Sequence, residues 1–293
     1  MVNIDQIPEP LRNANNCQKD LIPGFDYSYG YRPSLAAGIV FCVLFGIGFF
    51  GHLLQSIRFR RWTSALLTIG ALTDLIGWVG RTWSAECPYN ENAFLIQIVT
   101  LIIGPVFFTA ALYVLLGTLI AILGRKYSLI SARMYTIIFL TCDVISLVIQ
   151  AAGGAMASSA ASSQTDTQLG TNIMVAGVIF QLVAMTAFAL LSIDFVRRSA
   201  KFGMPAEYNK ILIALFISLA AIYARSVFRA VELIEGWTGY LMEHEAYFIA
   251  LDGSLMVVAV LIFLVFDPSQ TLPRVDRAVD RKESAQMSDF STV

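Results

Sequence analysis

Apolar residues run through this chain in seven long stretches, at about 34–55, 63–83, 93–123, 134–157, 171–196, 211–235 and 244–266. Each reaches the ~20 residues that a helix needs to cross ~30 Å of hydrocarbon. Backbone N–H and C=O groups cannot stay unpaired in lipid, so spans of this kind must be helices. The pattern predicts an all-α fold, a bundle of seven transmembrane helices. Short polar connections favour antiparallel neighbours. In the connection Ser158–Gly170, Ser, Ala, Gln and Thr dominate, which predicts a flexible connector. Gly203 and Met204-Pro205 predict that helix five stops before the connection Arg197–Lys210.

Charge orients the bundle. The connections after stretches one, three and five, with the C-terminal tail, hold 14 of the 20 basic residues. They are Arg58, Arg60, Arg61, Arg125, Lys126, Arg133, Arg197, Arg198, Lys201, Lys210, Arg274, Arg277, Arg281 and Lys282. The connections after stretches two, four and six hold none, and the N-terminal arm holds Arg12, Lys19 and Arg32. Basic residues beside spans stay cytoplasmic, which puts the N-terminus outside and the C-terminus in the cytoplasm. Residues 1–33 are then an extracellular arm, 34–266 the membrane domain, and 267–293 a cytoplasmic tail too polar to fold alone. The arm has no apolar core, so helix one is expected to act as the insertion signal. Composition agrees: 57% of residues are hydrophobic and 14% charged, against roughly 25% charged in soluble domains. No long basic block occurs and no basic-aromatic interleaving, so nucleic acid is not an expected partner.

Ionisable side chains inside hydrocarbon cost about 2.5–3.5 kcal/mol each, so they normally face partners or a cavity. Here they recur at helical spacing. Asp74, Gly77, Trp78 and Arg81 share one face of helix two, and Arg225, Arg229 and Glu232 one face of helix six. Asp143, Ser146 and Gln150 line helix four, Glu245 and Asp252 line helix seven, and helix five adds Gln181. Two explanations stand. The groups pair only with one another and fix helix register, or they line an internal cavity that receives the polar head of an amphipathic ligand. Gly46, Gly48 and Gly51 in helix one, with Gly153-Gly154 in helix four, permit close helix contact. Gly104-Pro105 in helix three frees a backbone carbonyl and predicts a kink. Tyr27, Tyr29, Tyr31, Trp62, Trp83, Tyr89, Trp237 and Tyr240 sit near helix ends, as in a headgroup-level aromatic belt.

Cys17 and Cys87 both fall on the predicted outer face, where oxidising conditions favour a disulfide pinning the arm to the loop after helix two. Two free thiols are the alternative. Cys42 and Cys142 lie within spans and behave as small apolar residues. His52 and His244 fall near opposite ends of the bundle, so they cannot share a zinc ion. The chain holds neither a G-x-x-x-x-G-K-[ST] phosphate loop nor a G-x-S-x-G nucleophile turn. No enzyme, metal site or cofactor is expected.

Across Tyr29–Asp267 the motifs resemble those of the fungal lipid-translocating exporter family, which includes sphingoid long-chain base exporters and aminocholesterol-resistance proteins. The resemblance rests on Tyr31-x-Pro33-Ser34, His52, Asp74-x-x-Gly77-Trp78-x-x-Arg81, and Pro105 with Ala110 and Tyr113. It rests equally on Asp143-x-x-Ser146-x-x-x-Gln150-x-x-Gly153-Gly154, Gly177 with Gln181, Arg225-x-x-x-Arg229-x-x-Glu232, and Glu245 with Asp252. Asp74 and Trp78 stand where the family usually carries Glu and Tyr, swaps that alter reach and size. The resemblance implies a plasma-membrane, multi-pass transporter whose partners are membrane lipids or lipid-like toxic molecules. Asp74, Trp78, Arg81, Tyr113, Asp143, Gln150, Gln181, Arg225, Arg229, Glu232, Glu245 and Asp252 are its candidate substrate-binding residues. A seven-helix lipid sensor that binds without transport is the alternative.

Overall fold

A computed structural model describes residues 17, 19, 27, 29–124, 128–162, 165–201, 205–236 and 239–273. Arg12, Arg125, Lys126, Gly203, Met204, Trp237, Arg274, Arg277, Arg281 and Lys282 lie outside the described residues. Seven helices are long and apolar enough to cross a membrane. They are α1 (Leu35–Phe59), α2 (Trp62–Glu86), α3 (Glu91–Leu123), α4 (Ala132–Ser162), α5 (Gln168–Lys201), α6 (Asn209–Glu235) and the span α7 (Glu245–Thr271). The fold is all-helical, and the protein is a multi-pass membrane protein.

Local chemistry sets the helix ends. Ser34 caps α1 by accepting from the Ala37 amide, and Asn90 caps α3 by accepting from Asn92 and Ala93. Both satisfy amides that a helix start leaves unpaired. Arg60 ends α1 in the left-handed conformation (φ 49°), so the chain enters α2 after only Arg60 and Arg61. Two boundaries depart from expectation. The connector expected over Ser158–Gly170 is helical through Ser162 and again from Gln168, and α5 continues past Arg197 to Lys201. Ser, Ala and Gln tolerate a helix once neighbours pack against it, and an Arg198–Asp194 pair at i,i+4 supports the last turns of α5.

α3 is the hub. It packs against α2, α4, α6 and α7, while α7 also meets α1 and α6. Between Asn92 and Leu123 it carries no charged residue, and most of its apolar side chains are buried. α1 turns the other way, with Ile39, Val43, Ile47, Phe50, Leu54 and Ile57 exposed, as a lipid-facing helix requires. α7 is composite: α-helix over Glu245–Tyr247, π-helix over Phe248–Gly253, and α-helix again over Ser254–Val265. The Ser254 amide and hydroxyl both reach the Ile249 carbonyl, widening the turn that carries Asp252.

The described residues of the two polar ends are held to the bundle. Asp267 caps the turn Pro268–Thr271, Ser269 hydrogen-bonds Ser64 at 2.8 Å, and Arg61 donates to the Leu272 and Pro273 carbonyls. At the opposite end, Cys17 and Cys87 form a disulfide. Lys19 pairs with Glu86 there, and Tyr27 packs on Tyr89.

Candidate functional site

The expected stripes are buried, and they form separate clusters. The largest lies between α2, α3, α6 and α7. Arg225 on α6 places Nε 2.8 Å from Asp252 Oδ1, an ion pair whose angle misses hydrogen-bond geometry. Its Nη2 donates to the Leu101 carbonyl at 2.6 Å. Pro105 has no N–H to offer that carbonyl four residues back, so the freed acceptor foreseen at Gly104-Pro105 is Leu101, and Arg225 takes it. One turn on, Arg229 donates to Glu232 at 2.6 Å. Asp74 on α2 faces Arg225 and Asp252 and is 1% exposed, yet neither carboxylate oxygen has a hydrogen-bond partner. Gly104 makes room for it, because a Cβ there would overlap Asp74 Oδ1.

A second cluster closes the disulfide end. Arg81, 1% exposed, donates to Glu245 at 2.8 Å and to the Tyr31 hydroxyl at 2.9 Å. The Phe248, Tyr29, Tyr31 and Trp78 rings surround its guanidinium at 4.4–5.9 Å, contacts worth ~2 kcal/mol when desolvated. Glu245 also accepts the Ser34 amide (2.9 and 3.1 Å). Tyr29 donates to Gln97 at 2.6 Å, and Arg32 to the Ala85 carbonyl at 3.0 Å. Burial pushes the Tyr29 phenol up to about 12 and raises Tyr31 as well, so both stay protonated at neutral pH. The belt reading therefore fails for Tyr29 and Tyr31, which turn inward because Arg81 and Gln97 need partners. It fits Trp62, Trp83 and Tyr240, which are exposed.

The stripe of α4 does not join these clusters. Asp143 accepts from Thr109 (2.7 Å) and Tyr113 (3.0 Å) on α3, with Phe139 and Phe188 against the Tyr113 ring. Gln150 donates to Ser146 and to Gln181 on α5. A single hollow shared by helices two, four, six and seven is thus replaced by paired clusters, because the α4 face is turned to α3 and α5. His52 is likewise committed, to Gln55 and the Val260 carbonyl. Gln97 and Thr109 also belong to these clusters, although a lone amide or hydroxyl within an apolar run carries little signal in a sequence.

Between α1 and α7 an open groove of about 500 Å³ is lined by Ala36, Ala37, Val40, Phe41, Leu44, Ile249, Ser254, Val257 and Val258. Its Phe41 wall stacks on Trp78 at 4.0 Å, on the face of α2 that carries Asp74 and Arg81. Gly253 lets the π-turn approach, since a Cβ there would meet Trp78 at 2.6 Å and Phe41 at 2.9 Å.

Seven apolar helices enclosing paired charge define a multi-pass membrane protein built around buried polar groups. The chain belongs to the RTA1-like protein family, whose model matches residues 67–274. It is 28% identical to the sphingoid long-chain base transporter RSB1 of Saccharomyces cerevisiae, over 90% of this chain and 81% of that protein. It is 29% identical to Protein RTA1 of the same yeast (90% and 92% covered) and to its protoporphyrin uptake protein 1 (81% and 90%). No solved structure matches.

Proposed function

We propose that this protein translocates amphipathic lipids or lipid-like toxic molecules of the sphingoid-base or sterol-amine type across the plasma membrane, with its N-terminus outside. The relatives named as transporters support the class. The observation that carries the mechanism is the groove between α1 and α7, whose Phe41 wall stacks on Trp78, on the α2 face that also carries Asp74 and Arg81. An alkyl chain occupies the groove by van der Waals packing, since it leaves acyl chains as apolar as the groove wall. The polar head passes the stack and meets Asp74, Arg229, Glu232 and Asp252, which replace the water it leaves. Arg81 and Glu245 hold the outer end closed. Asp143, Tyr113, Gln150 and Gln181 lie off this path, in the separate cluster between α3, α4 and α5. Efflux of this kind confers resistance on the cell, with neither cofactor nor catalysis.

The test is reconstitution into vesicles with a fluorescent sphingoid base. Wild-type protein should move it between leaflets, and Arg229→Ala or Glu232→Ala should slow movement at least tenfold while the protein still inserts. Binding without movement would make the protein a sensor. Movement at the wild-type rate in both variants would remove the charged cluster from the path.

A further inference from the structure

We propose that Asp74 is a proton-binding site, and that the ammonium head of a cargo displaces that proton. The argument is one of charge balance. On α6, Arg225, Arg229 and Glu232 face this cluster, and on α7 Asp252 does. On α2 itself Arg81 is committed to Glu245 and Tyr31. α3 contributes the Leu101 carbonyl and Gly104 and no charge. α1 contributes the apolar Phe41 through Trp78. Three carboxylates (Asp74, Glu232, Asp252) therefore face two guanidinium groups, and the excess negative charge falls on Asp74. Arg225 already serves Asp252 and Leu101, and Arg229 serves Glu232.

An ionised carboxylate without a partner costs several kcal/mol to hold away from water, and such a group neutralises instead. A metal ion is a poor neutraliser here. Hard cations take about six oxygen ligands, whereas Gly104 presses against this carboxylate and the nearby Asp252 and Leu101 oxygens are engaged by Arg225. Asp143 and Asp267, also buried with no ion pair among the described residues, differ in having hydrogen-bond donors, Thr109 and Tyr113 for the first and the Ser269 amide and Gln270 for the second. The proton thus belongs on Asp74 in the closed, cargo-free bundle. An arriving ammonium group becomes the counter-ion: the carboxyl O–H bond breaks, the proton leaves to solvent, and the carboxylate keeps the electron pair.

The exchange step rests on the proposed transport function; the protonated carboxyl does not. Infrared difference spectra of protein in vesicles at neutral pH should show a protonated-carboxyl C=O band that Asp74→Asn removes and Asp143→Asn keeps. A wild-type spectrum without the band, or a band that Asp74→Asn leaves untouched, overturns the assignment. Should Asp74→Asn not assemble, isotope-labelled aspartate in the Asp143→Asn protein must shift the band, and an unshifted band overturns it equally. With a pH-indicator dye, a sphingoid base should release one proton per protein from wild type and none from Asp74→Asn. Equal release from both overturns the exchange. If wild type neither binds nor moves the base, the transport function fails while the infrared result still decides Asp74.

Discussion

At the scale of residues, the buried charges hang on backbone features as much as on side chains. Arg225 needs the carbonyl that Pro105 frees, and Asp74 needs the space that Gly104 leaves. Gly104→Ala should cost about 1–3 kcal/mol, the usual penalty of overpacking, read as a lower unfolding temperature in detergent. Because the clash is with Asp74 alone among the near atoms, Gly104→Ala should cost far less on an Asp74→Ala background. Equal penalties on both backgrounds would mean that the helix backbone, and not the Asp74 carboxyl, takes the strain. The acidic and basic members of these clusters could be read from helical spacing because a charge in an apolar run stands out. Their partners could not. A carbonyl has no letter in the sequence, and Gln97, Thr109 and Ser34 gain meaning only once α3 and the arm are seen beside α2 and α7.

Helix pairs tell a related story. Seven apolar runs were enough to predict seven helices, and of the glycines expected to permit close contact, Gly153 does mark the tightest approach. On α1, Gly51 and Gly48 do face α7, where a Cβ would meet Leu264 at 2.7 Å and Val260 at 3.5 Å, but nothing lies within 4 Å of a Cβ placed at Gly46. The closest approach is between α4 and α5, where a Cβ at Gly153 would meet the Met174 amide at 2.6 Å and the Gly170 carbonyl at 2.7 Å. Gly177 in turn sits over Gln150, so the same small-residue seam allows the Ser146–Gln150–Gln181 hydrogen bonds to form. Gly170→Ala should therefore destabilise the protein by about 1–3 kcal/mol. Gly46→Ala should be neutral or stabilising by up to about 1 kcal/mol, since it only removes chain entropy. Thermal unfolding of the two variants side by side checks this, and a Gly170→Ala protein as stable as wild type would mean that α4 and α5 can slide apart freely. Glycine in an isolated sequence shows where two helices could approach, and the partner's own small residues decide where they do.

For the whole molecule, the described part of the N-terminal arm works as a latch across one end of the bundle. It is held covalently at Cys17–Cys87 and by polar contacts from Tyr29, Tyr31, Arg32 and Ser34 to α2, α3 and α7. Each hydrogen bond to a charged group contributes about 1.5–3 kcal/mol, enough that the latch should outlast loss of the disulfide, in a looser form. Cys17→Ser is expected to speed hydrogen exchange at the Ser34 amide, which Glu245 holds, by roughly tenfold, equivalent to about 1.4 kcal/mol. Exchange within α3 should not change. Acidity cannot release the latch through the tyrosines. Their neutral phenols are the bonded form, and burial moves Tyr29 from 10.0 to about 12, so its contribution is intact below 10.0 and lost only as pH rises through about 12. A reductant at neutral pH should consequently do what a shift from pH 6 to pH 8 does not, and fluorescence from an environment-sensitive dye in the Phe41–Trp78 region would report both. Should that pH shift loosen Ser34 as much as reduction does, the disulfide-tethered arm would not be what holds the latch.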